Sequence, residues 1–132
     1  MPATEIHQST GWEDTSARFM ARVEGNDGAN ILQSTIDTIA CSVFDEDSET
    51  PNTATSTPAI VVADSVFDTL QTTALDSRWT VDTTGYNFAH DMPATSFPDG
   101  DHNYRIEYIF TPFTGDAFPL VFSHLARNLR SS

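Results

Sequence analysis

Four histidines, one cysteine and 19 carboxylates are the groups in this 132-residue chain best suited to metal binding or acid–base chemistry. His7, His90, His102 and His124 stand far apart. None of them falls in the H-x-x-x-H or H-E-x-x-H spacing that turns two imidazoles toward one zinc ion. A serine nucleophile elbow needs G-x-S-x-G and a phosphate loop needs G-x-x-x-x-G-K-[ST], and the chain has neither. All six basic residues are arginines, so there is no lysine for Schiff-base chemistry. Asp45-Glu46-Asp47 and Asp99-Gly100-Asp101 offer the oxygen ligands that calcium takes, but neither follows the EF-hand pattern, and solvated turns are the expected reading. A glycosidase needs two acids about 5–10 Å apart in a cleft. With 19 acids some pair always meets that distance, and a small domain leaves little room for a deep cleft. The expectation is a chain that catalyses nothing and carries no cofactor and no resident metal. Cys41, alone in its apolar run, is expected to be a small buried hydrophobe.

The charge balance narrows the partners. A net charge of -13 repels phosphate backbones, so nucleic acid is not expected. No basic patch is present to hold an anionic membrane. The first twelve residues have neither a basic start nor an apolar stretch, so manufacture in the host cytoplasm is expected. An acidic, lysine-free, threonine-rich surface would also suit a host with high internal salt.

The elements that must position these groups read as strands. Residues 1–16 lack any period and are expected to form an extended N-terminal arm with Ile6 and Trp12 as its large apolar groups; such an arm tucks onto its own domain or docks on a neighbour. In the run 17–23, Phe19, Ala21 and Val23 alternate with Arg18, Met20 and Arg22, the pattern of a half-buried strand. Ile39, Cys41 and Val43 share one face of a second strand over 36–44. Residues 45–57, with four acids and no large apolar side chain, are expected as an exposed loop. A short apolar strand is expected over 58–63, an ambiguous, partly helical stretch over 64–77, and strands over 78–81 and 86–92. Tyr104, Ile106, Tyr108 and Phe110 alternate with polar neighbours and turn at Phe113-Thr114-Gly115-Asp116 into a return strand marked by Phe118, Leu120 and Phe122, a hairpin. Pro112 and Pro119 should sit at edges or bulges. The tail, 127–132, has no apolar period.

About seven short strands without a long helix predict an all-β, immunoglobulin-like two-sheet β-sandwich over 17–126. Tyr104 follows a Pro-Asp-Gly turn and opens a long strand, the order in which such domains bond a tyrosine hydroxyl back to the preceding corner.

Several runs also resemble a family. Val66-Phe67-Asp68-Thr69-Leu70-Gln71, the stretch Arg78 to Phe88, Met92 to Pro98 and Tyr104 to Tyr108, with Ala21-Arg22-Val23 and Ile39 to Phe44, are similar to small virion-associated proteins of tailed bacteriophages. The likeness spans about residues 17–123, and its motifs are structural. It implies a virion component. One job that fits is a decoration (cement) protein on the outer capsid surface, bound to the major capsid protein and to copies of itself. The other is a tail or baseplate connector. The expected interface residues are Ile6, Trp12, Glu46, Asp47, Arg127 and Arg130. A carbohydrate-binding β-sandwich is the alternative, with Trp79, Tyr86 and Phe113 as its candidate aromatic platforms.

Overall fold

The computed structural model describes residues 6–72, 79 and 84–129; of Ile6 it describes the backbone alone. Arg130, residues 1–5 and all but Trp79 of the strand expected over 78–81 lie outside the described residues. Among the described residues, eight strands form two sheets. They are β1 (Ile6–Trp12), β2 (Ala17–Ala21), β3 (Ile36–Asp45), β4 (Ala54–Ser56), β5 (Val66–Gln71), β6 (Tyr86–Met92), β7 (His102–Pro112) and β8 (Phe118–Arg127), with one turn of α-helix, α1 (Val62–Ser65), and a 3-10 turn at Ala94–Ser96. One sheet runs β1-β8-β7-β3-β4 and the other β2-β6-β5. This is an all-β, two-sheet sandwich with the strand order of immunoglobulin-like domains.

The period-two runs bury their apolar sets between the sheets. Phe19 and Ala21 of β2, Ile39, Cys41 and Val43 of β3, and Tyr104, Ile106, Tyr108 and Phe110 of β7 are all buried. They meet the return strand's Phe118, Leu120 and Phe122 in one continuous core. Antibody domains place a cysteine two residues after the corner tyrosine; Ile106 occupies that place, and packed aromatics stand in for the disulfide. Phe88 lies edge-on to Tyr108 and Phe110 at 4.9 and 5.2 Å, while Phe19 meets Phe122 at 4.9 Å. The corner itself forms as expected: the Tyr104 hydroxyl accepts the Asp99 N–H at 3.0 Å.

Three segments differ from their expected form. Residues 58–63 do not make a strand: only Ala59 bridges, to Ala40, and α1 begins at Val62. Pro58 removes one ladder donor, and of the run that follows Ile60 and Val62 reach the core while Val61 points to solvent. The loop expected over 45–57 starts with a buried Asp45 and contains β4, an edge strand on β3. Residues 6–12 of the expected arm lie in the domain's own sheet as β1, parallel to β8 and in register from Ile6↔Val121 to Trp12↔Arg127. The apolar–polar alternation that marks a half-buried strand is missing there because the face turned inward is His7, Ser9 and Gly11. Pro119 sits on β8 just before that register begins, where the missing N–H costs least.

Candidate protein-interface site

One end of the sandwich gathers segments far apart in the chain: the turn after β1, the start of the acidic loop, the corner 97–101 and the end of β8. The parallel register brings Trp12 opposite Arg127, whose guanidinium lies 5.7 Å from the indole centroid, within cation–π range. Trp12 stays 45% exposed, and Leu129 beside it is also exposed.

Glu13, buried beneath them, ties this end together. Its N–H donates to the Arg127 carbonyl at 2.8 Å, and its Oε1 accepts the Leu129 N–H at 2.9 Å. A Cβ on residue 100 would stand 2.7 Å from Glu13 Oε2 and 2.7 Å from Asn128 Cα, so the close approach requires Gly100. Asp101 donates its N–H to the Ala126 carbonyl at 2.6 Å, and Asp14 donates to the Phe97 carbonyl at 2.8 Å. Asp14 and Asp101 have φ of 54° and 61°. Aspartate tolerates that left-handed region at a cost, and such positions concentrate at functional sites.

The acidic loop joins the same end. His102 Nδ1 and Asp45 Oδ2 lie 2.8 Å apart, and the Asp47 N–H donates to Asp45 Oδ1 at 3.0 Å. Asp47 Oδ2 accepts the Asn103 N–H at 2.7 Å, while the Glu46 N–H donates to the Asn103 carbonyl at 2.9 Å. The hydrogen bond to Asp45 raises the His102 pKa, and the Asp99 and Asp47 charges add to it. Asp45, Asp99 and His102 offer donor atoms within 4.8 Å of one another, the grouping among the described residues that could hold a metal ion. The Asp45 carboxylate already accepts from an imidazole and a backbone N–H. Beside this end a shallow depression of about 320 Å³ opens between Phe44, Glu46, Pro51, Asn52, Arg105 and Glu107.

Four of the six expected interface residues, Trp12, Glu46, Asp47 and Arg127, therefore share one end of the molecule. Ile6 lies at the far end of β1. Glu13, Gly100, His102 and Leu129 complete this end, and no local pattern announces them: Glu13 meets Leu129 across 116 residues and Asp45 meets His102 across 57. Of the aromatic platforms a sugar would use, Trp79 and Tyr86 are buried against each other with ring centroids 5.5 Å apart, whereas Phe113 is 65% exposed. Comparison with family models, with curated proteins and with solved structures gives no match.

Proposed function

We propose that this domain is a virion structural protein, a capsid decoration protein that binds the outer surface of the major capsid protein shell by contact rather than by chemistry. The virion setting rests on the sequence resemblance; the docking end rests on geometry. The observation that carries the docking end is the exposed Trp12 under Arg127, next to a buried Glu13 that bonds the Arg127 and Leu129 backbones. Tryptophan and arginine are the residue types in which interface energy concentrates, most of all where a rigid base holds them in place. The surrounding Asp14, Glu46, Asp47, Asp99 and Asp101 form an acidic rim suited to a basic partner surface. Many such contacts, each weak, sum to a strong hold over a lattice. A sugar-binding role has less support, because two of its three aromatic platforms are buried.

The experiment is binding of the purified chain to empty tailed-phage capsids and, in parallel, to a glycan array. Saturable capsid binding that raises the particle's melting temperature is the expected result. Glycan binding without capsid affinity would overturn the proposal.

A further inference from the structure

The outward face of the five-stranded sheet is the second feature that stands out. β3, β7 and β8 are 10, 11 and 10 residues long and adjacent, so they expose a broad surface. Its middle carries Ile109, Pro119, Val121 and Leu125, all at least partly solvent-accessible and none packed against the core. Between Thr38 and Phe44 on β3, Asn103 and Thr111 on β7, and Pro119 and Leu125 on β8, the outward side chains include one base and one acid. These are Arg105 and Glu107, which pair with each other at 2.6 Å. In a chain of net charge -13, this face is neutral.

We infer that a second copy of this chain covers that face, sheet against sheet, in an isologous dimer. Two arguments select a copy as the occupant. A neutral face of mixed apolar and small polar side chains is where two strongly acidic copies approach with least repulsion, and a two-fold axis lets Arg105 of each face Glu107 of the other, so the surface is self-complementary. The area also fits. At ~4.8 Å between strands and ~3.3 Å per residue, the three long strands cover on the order of 500 Å² in plan. Side-chain relief brings this toward the ~800 Å² per partner of a stable interface. The inference deepens the proposed assembly role, yet it fails independently of it: a monomer that binds capsids would sink the dimer and leave decoration standing.

Sedimentation equilibrium of the full chain tests it. The expected species is twice the 14.5 kDa chain mass, with association strengthening as salt rises from about 50 mM to about 0.5 M, because the remaining repulsion is screened. The double variant Ile109→Lys with Val121→Lys is expected to be monomeric with an unchanged circular dichroism spectrum. It lowers the net negative charge, so loss of association cannot come from long-range repulsion. Phe113→Ser, at a loop tip, is expected to dimerise normally. Should the double variant misfold, Ser123→Arg, at a half-exposed position on the same face, is expected to keep the fold and to weaken association at least about tenfold. A monomeric wild type, a dimer that survives the double variant, or a folded Ser123→Arg chain that associates as the wild type does would each overturn the inference.

Discussion

At the scale of single residues, the fold depends on polar side chains that finish what the ladders leave open. Asn87 is buried, and its amide both accepts the Val23 N–H at 2.7 Å and donates to the Val23 carbonyl at 3.0 Å, just past the last β2–β6 pair. Asn87→Leu strands the Val23 N–H, while the Val23 carbonyl keeps the Ile31 N–H at 3.2 Å, and is expected to cost about 1–3 kcal/mol in a urea titration, the cost of one orphaned group. Tyr104→Phe loses the bond from the Asp99 N–H and the longer one to the Asp99 carbonyl, both neutral, and should cost about 1–2 kcal/mol. The Cys41 thiol is pushed up to about 12 by burial, so in native protein it should stay unmodified by iodoacetamide and react only on unfolding. The histidines split by environment. Burial lowers the pKa of His90 and His124, whereas the Asp45 bond raises that of His102. A raised folded value means His102 contributes stability that is complete below the usual value of 6.5 and disappears as pH rises through its folded value. Lowered values mean His90 and His124 cost stability as pH falls below 6.5. Proton NMR should show His102 titrating above 6.5 and the other two below it. One shared midpoint would contradict these environments.

At the scale of elements, β1 is where sequence and structure part most clearly. Strands with alternating aromatic or aliphatic residues, such as β3, β7 and β8, were legible because their burial follows a period of two. The corner at Tyr104 was legible from its Pro-Asp-Gly turn. β1 was not, because its inward residues are His7, Ser9 and Gly11, none of which reads as core. Only the tertiary partner explains them. Ser9 Oγ lies 2.9 Å from Nδ1 of His124, which is 1% exposed. A Cβ on Gly11 would come within 2.9 Å of the same ring. The site was half legible for a related reason: residue types flagged Trp12 and Arg127, but a buried Glu13 holding a segment 116 residues away follows from topology alone. Gly11→Val should therefore force β1 off β8 at a cost of about 1–3 kcal/mol, seen as faster hydrogen exchange confined to residues 6–12 and their partners on β8. Deleting residues 1–13 should leave a compact but weakened sandwich. It uncovers Phe122, against which His7 packs at 5.1 Å, and re-exposing one such side chain costs about 2 kcal/mol.

At the scale of the whole molecule, charge divides the surface into two regions of different character. The end built around Trp12, Arg127 and Glu13 carries an acidic rim, and the broad face of the five-stranded sheet is neutral. A chain of net charge -13 should therefore meet a basic lattice with one region and its own copy with the other. The measurement that bears most directly on the proposed role is titration of empty tailed-phage capsids with the wild-type chain, with Trp12→Ala and Arg127→Glu, and with Phe113→Ser as an exposed-aromatic control. Saturable binding that falls at least about tenfold for the first two variants, a loss of about 1.4 kcal/mol or more, and is unchanged in the control is the expected result. Absence of saturable binding by the wild type, or equal binding by all four chains, would contradict it.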